Sequence, residues 1–113
     1  MEKVKFDYDE ESDSLFLYKE GETVRGSAEI GDFVLDFASN SRKVVGLEII
    51  NATENLRKAL SDKITKDVLK NMRGAMLRTE IKQNTLYVIY GIASVIKHRK
   101  IEEKSMLPVM VNA

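Results

Sequence analysis

The 113-residue chain is 43% hydrophobic and 32% charged, the balance of a folded globular protein and too apolar for intrinsic disorder. Its 18 basic residues match its 18 acidic ones, so no global field draws nucleic acid or an anionic membrane. Cysteine is absent, which removes disulfides, thiol nucleophiles and thiolate metal sites together.

A chain of this length buries a core without a staple, and we read residues 1–113 as one domain. The opening stretch MEKVKFDYDEE has no apolar run of a signal peptide, and no run elsewhere approaches the roughly 20 residues that cross a bilayer. A cytoplasmic protein with no membrane segment is expected.

Val4, Phe6 and Tyr8 alternate with Lys3, Lys5 and Asp7, the period of a strand with one buried face. The acidic segment from Asp9 to Asp13 reads as a turn into Leu15-Phe16-Leu17-Tyr18, a second strand apolar on both faces. Gly21, Gly26 and Gly31 punctuate the next stretch and leave room for a short extended piece from Val24 to Ile30. Phe33, Leu35 and Phe37 then alternate with polar or smaller residues, as do Val45, Leu47 and Ile49 after the polar turn Ala38–Arg42. A hairpin centred near Ser41 sets Phe37 against Val45, Leu35 against Leu47 and Phe33 against Ile49. Gly46, in mid-strand, marks a bulge or a close approach, with Phe16 or Tyr18 as candidate covers.

Thr53 is placed as a helix N-cap with Glu54 in the first turn, and Leu56, Ala59 and Leu60 come after it at helical spacing. Thr65 offers a second cap before Val68, Leu69 and Met72, so residues 54–72 form one bent helix or two short ones, closed by Gly74. From Ala75 the period returns to two, Gln83-Asn84 is a turn, and Thr85–Ile96 is too continuously apolar and β-branched for a strand open to water on one face. That run predicts a central strand or a dimer surface. Lys97 to Lys104 reads as a charged connection, and Met106 to Val111 as a last strand held to an edge by Pro108.

The order Tyr8-Asp9-Glu10-Glu11-Ser12-Asp13-Ser14-Leu15, then Asp36, then Val45-Gly46-Leu47-Glu48-Ile49 with Asn51-Ala52-Thr53, resembles the small uncharacterised domain family DUF2283 over about residues 4–55. The departures are Leu47 where isoleucine is usual and a less acidic Phe37–Asn40. The resemblance implies a small antiparallel sheet with a helix, no established activity and an antitoxin-like role beside a toxin protein. It leaves residues 56–113 unexplained.

The acidic residues Asp7, Asp9, Asp13, Asp36 and Glu48 are the candidate metal ligands. A calcium loop counted from Asp7 would place Ser12 at the sixth position and Tyr18 at the twelfth, where glycine and glutamate are needed, so that reading fails. A solvated turn with self-capping acids is the competing account. The single histidine, His98, stands in Lys97-His98-Arg99-Lys100 without a nucleophile motif, and Glu102-Glu103 come at once after it with no interleaved aromatic residue. A catalytic triad and nucleic-acid binding are both disfavoured, and no glycine-rich phosphate loop is present. The sequence therefore predicts an α+β fold, with antiparallel sheet and one or two short helices between N-terminal and C-terminal strands. The expected role is a non-enzymatic module, without cofactor, that pairs with itself or with another protein through Tyr87, Ile89, Tyr90 and Ile92.

Overall fold

A computed structural model describes residues 4–110, Met110 by its backbone alone. Lys3 and Val111, which the sequence assigns to the first and last strands, lie outside the described residues. The fold is mostly antiparallel sheet with two short helices. Five strands make the first sheet: β1 (Lys5–Asp9), β2 (Ser14–Tyr18), β3 (Val24–Ile30), β4 (Phe33–Ala38) and β5 (Val44–Ile49), in the order β1-β2-β5-β4-β3. Helices α1 (Ala52–Ala59) and α2 (Lys66–Lys70) come next, then β6 (Met72–Lys82), β7 (Thr85–Ile96) and β8 (Arg99–Met110) as a second sheet in chain order.

Alternation dictates what each face of the first sheet does. Two cross-strand rows, Phe6-Leu17-Leu47-Leu35-Ala28 and Tyr8-Leu15-Ile49-Phe33-Ile30, turn inward. They meet Leu56 of α1, Val68 and Leu69 of α2, and Leu77, Leu86, Val88, Tyr90 and Ile92 of the second sheet in one contiguous core. The Phe33 and Tyr90 rings touch across it with centroids 6.0 Å apart.

The central hairpin keeps the expected pairs Phe33–Ile49 and Leu35–Leu47, but Phe37 faces Val44, not Val45. A bulge after Asp36 leaves Val45 as the extra residue, and its carbonyl accepts from Lys19 N–H at 2.9 Å. Tyr18 is the direct cross-strand neighbour of Gly46, but the closest approach to the glycine comes from Asp36 on the other side. A Cβ there would stand 2.7 Å from Asp36 Oδ2, so the missing side chain makes room for the Asp36 carboxylate, which accepts from Ser27 Oγ at 2.5 Å. Phe16 and Tyr18 stack on each other on the outer face.

Residues 54–72 hold two helices. The first begins two residues earlier than expected, at Ala52, with Asn51 as its cap residue in the left-handed region and Thr53 inside the first turn. The second starts at Thr65 as read, the threonine hydroxyl accepting from Val68 N–H. Asn71, not Gly74, closes it. Five residues of helix end where Met72 enters the core, and Gly74 falls in a register irregularity at the start of β6. The charged stretch after Ile96 is not a connection. Lys97 and His98 alone form the turn, both at positive φ, and Arg99–Met110 is one strand paired along its length with β7. Charged residues fit a strand at that place because β8 is an edge, open to water on one side.

Candidate interaction surface

The family-like residues around the β1–β2 turn build a clamp. Asp13 sits at φ 53°, the left-handed conformation an aspartate tolerates, and this turns its carboxylate toward the start of α1. There it accepts from Tyr8 Oη at 2.6 Å, Thr53 Oγ1 at 2.8 Å and Thr53 N–H at 3.2 Å, while its carbonyl accepts from Ala52 N–H. Two N–H groups at the start of α1 are thus satisfied by Asp13, 40 residues before Thr53 in sequence, and its negative charge complements the positive end of the helix dipole. Burial alone would push the Asp13 carboxyl up, but the hydrogen bonds from Tyr8 and Thr53 outweigh it and hold the group below its ordinary range. Burial, followed by the bond to Asp13, raises the Tyr8 phenol to about 12.

Asp32, which the sequence did not single out, repeats the device from the β3–β4 turn. Its carboxylate accepts from Asn55 Nδ2 at 2.9 Å, and its carbonyl from Ile50 N–H at 2.8 Å. Its place in a Gly-Asp turn was the available signal, but nothing local pointed to a partner 23 residues on.

The five acidic candidates do not converge. Asp13 belongs to the clamp, and Asp9 caps its own turn through Glu11 N–H and Ser12 Oγ. Asp7 and Glu48 share the outer row Asp7-Phe16-Glu48-Val34-Glu29, with Phe16 between them, a spacing of two strands or roughly 10 Å. Asp36 is a diagonal neighbour of Glu48 but bonds to Ser27 over Gly46. Among the described residues no three acidic or histidine side chains are gathered as a metal would require.

The apolar strand β7 divides the four interaction candidates between two faces. Tyr90 and Ile92 are core residues, 1% and 2% exposed. Tyr87 and Ile89 lie on the outer face, where Tyr87 is half-buried and Ile89 only 8% exposed. Alternation there runs Tyr87, Ile89, Gly91, Ala93 and Val95, flanked by Met76 of β6 and by Met106 and Pro108 of β8. Met106 is 53% exposed. Gly91 lets β8 approach: a Cβ on it would meet the Glu103 carbonyl oxygen at 2.9 Å. Inside, Ser94 is fully buried and its hydroxyl donates to the Val68 carbonyl at 2.7 Å, tying α2 to β7.

A cleft of about 870 Å³ opens at the far end of the first sheet, between Lys5, Lys19 and Lys43 on one hand and Glu20 and Glu22 on the other. Its charges are mixed, and Lys5 and Glu20 stand 3.8 Å apart, so it selects for neither anion nor cation. No helix among the described residues is long and apolar enough to cross a membrane.

An uncharacterized protein of Methanocaldococcus jannaschii is 43% identical over 70 residues, which cover 62% of this chain and 55% of that protein. The chain therefore spans about half the length of that relative. A Methanosarcina mazei protein that carries the provisional name hypoxanthine phosphoribosyltransferase is 26% identical over 103 residues, 91% of this chain and 77% of its own length. No solved structure matches significantly. Residues 5–52, from the first strand to the start of α1 and with both clamp turns inside them, match the family model of DUF2283, a protein of unknown function.

Proposed function

We propose that the protein is a non-enzymatic interaction module that associates with itself or with another protein through its second sheet. The observation that supports this is the outer face of β7 and β8, where Met106 is 53% exposed next to the half-buried Tyr87, over a buried Ile89. One aromatic residue, Tyr87, and a methionine in such a patch, with Arg78, Glu80 and Lys104 around them, have the make-up of an interface. The phosphoribosyltransferase name of the M. mazei relative gains no support here. Phosphate binding at a strand-to-helix junction needs free N–H groups at the helix start, and at the β5–α1 junction Asp13 already holds the N–H of Thr53.

The test is light scattering of the purified protein across a concentration series, with pull-down from the native host as a second arm. A dimer or larger species that Met106→Glu dissociates, or a stoichiometric protein partner whose capture Met106→Glu abolishes, supports the reading. A monomer at millimolar concentration with no partner captured overturns it.

A further inference from the structure

The open edge of β8 carries a specific self-complementary pattern. Strand β8 pairs with β7 through its whole length, and among the described residues nothing pairs with its other side. Such an edge offers a row of backbone donors and acceptors to a strand of another chain. Lysine on an edge usually blunts pairing. Here, however, Lys100, Glu102 and Lys104 alternate on the outer face, so the same residues that repel one register attract in another.

Joining two copies edge to edge by a two-fold axis normal to the sheet makes one continuous six-stranded sheet. It sets residues of the same face directly opposite each other, antiparallel. With the axis at Glu102, that residue faces itself and Lys100 faces Lys104 twice, all like charges. With the axis at Lys104 or Ser105, Pro108 falls opposite Lys100 or Glu102, inside the ladder. There its ring and missing N–H interrupt the pairing, since an edge-strand proline turns its nitrogen to the open side. With the axis at Glu103, Glu102 faces Lys104 of the partner twice. Lys100 then faces Met106, Ile101 faces Ser105 and Arg99 faces Leu107. In this register the ladder ends at Arg99 and Leu107, one residue short of Pro108, because His98 already belongs to the turn.

We propose that this chain forms a homodimer by antiparallel pairing of β8 with β8 of a second copy, centred on Glu103. An axis at Ile101 would also pair opposite charges, Lys100 with Glu102 and Arg99 with Glu103, but its ladder is confined to residues 99–103; the Glu103 register keeps the Glu102–Lys104 pairs over the longer span 99–107 and leaves Pro108 outside. On the inner face, Ile101 and Leu107, already half-buried against the core, are set opposite Ser105 and Arg99 of the second copy. The two Glu103 carboxylates face each other at the axis, a repulsion that limits affinity. Glu103→Gln therefore tightens the dimer. The proposal rests on the self-association reading above and specifies its geometry.

The absence of cysteine makes the test direct. Directly opposed residues of an antiparallel pair have Cα atoms about 4.5–5.5 Å apart, within disulfide range. Glu103→Cys should form an intermolecular disulfide by itself under mild oxidation. Glu102→Cys and Lys104→Cys should each link poorly alone but readily when mixed. By sedimentation, Glu102→Lys or Lys104→Glu should weaken the dimer on the order of tenfold, and the double exchange should recover it to within a few-fold. Circular dichroism confirms that each variant keeps its fold. A dimer that Met106→Glu dissociates, while Glu103→Cys fails to cross-link and the charge exchanges have no effect, overturns the β8 register and leaves the broader reading standing. A monomer at every concentration overturns both this dimer and self-association, and leaves only the capture of a different protein.

Discussion

Removing the Asp13 carboxylate should cost more stability than any other single exposed or half-exposed polar change in the first sheet. Asp13→Ala deletes the acceptor of Tyr8 Oη, Thr53 Oγ1 and Thr53 N–H at once. Loss of a helix N-terminal acceptor costs about 1–2 kcal/mol. Alanine held at φ 53° adds about 1 kcal/mol of left-handed strain. Water reaches the half-buried site and re-solvates Tyr8 and Thr53, so we do not count a full penalty for each lost partner, and the sum is about 2–3 kcal/mol. At ~2.1 cal/mol/K per residue, a chain of this length loses about 4 °C of Tm per kcal/mol, so Asp13→Ala should melt about 8–12 °C lower. Asp13→Gly relieves the strain but not the lost acceptor and should recover about 1 kcal/mol of that. Tyr8→Phe removes one of the bonds and should cost about 1 kcal/mol.

The pH dependence carries a sign that bulk destabilisation would not. The folded-state pKa of Asp13 is depressed, so its contribution is present above the unfolded carboxyl value and lost as pH falls through the folded one. The gap between wild type and Asp13→Asn should therefore be open at pH 7 and close in acid. Tyr8 is raised to about 12, so its contribution is complete below the unfolded phenol value of about 10 and lost as pH climbs through 12. The gap between wild type and Tyr8→Phe should be open at neutral pH, narrow in acid as Asp13 protonates and narrow again in alkali as the phenol ionises. Urea unfolding from acid to alkaline pH measures both. Gaps independent of pH, or an Asp13→Ala cost under ~0.5 kcal/mol, would refute the clamp as a source of stability.

Three further substitutions test close approaches and strain. Gly46→Ala displaces the Asp36 carboxylate and should cost about 1 kcal/mol by urea unfolding; in Asp36→Ala the same change should cost less, a coupling read by the double-mutant cycle. Gly91→Ala meets the backbone oxygen of Glu103, which a rotamer change cannot move aside, and should destabilise by about 1–3 kcal/mol with loss of amide protection along β8. Lys97→Asn with His98→Gly gives the two-residue turn the residues that positive φ favours and should raise stability by about 1 kcal/mol, seen as a higher Tm.

The legible parts of the sequence were those where one face is apolar and the other is not. The alternation of Phe33, Leu35, Leu47 and Ile49 set the hairpin register, because a slip of one residue would have turned that face to water. The bulge one step further on was hidden: Val44 and Val45 are equally apolar, so their pattern does not say which is the extra residue. Strand β7 is apolar on both faces, which announced a central strand but not that Tyr90 and Ile92 point inward while Tyr87 and Ile89 point out. β8 was half missed because an edge strand open to water need not alternate, and a run from Arg99 to Lys104 reads as loop by composition. Thr53 was misread as a cap for a different reason. Local rules look for the acceptor beside the helix, whereas here it comes from another hairpin across the sheet.

That displacement of the cap explains why the recognisable residues of the family-like half carry so little chemistry. Asp13 in the β1–β2 turn and Asp32 in the β3–β4 turn both reach the start of α1, one through Thr53 and the other through Asn51 and Asn55. Two hairpins that are far apart in the order β1-β2-β5-β4-β3 are thereby tied to one helix, and β5, which leads into that helix, is the strand between them. A five-stranded sheet of short strands has one inner face to bury, and α1 alone supplies mainly Ala52 and Leu56 for the purpose. The second sheet contributes the rest of the cover, through Leu77, Leu86, Val88, Tyr90 and Ile92. Its strands of 11 and 12 residues are longer than any in the sheet they cover, so burial of the shared core does not use them up. The surplus is the outer face around Met106 and the open edge of β8, and any partner this chain has must be sought there before it is sought among the acidic residues of the motif.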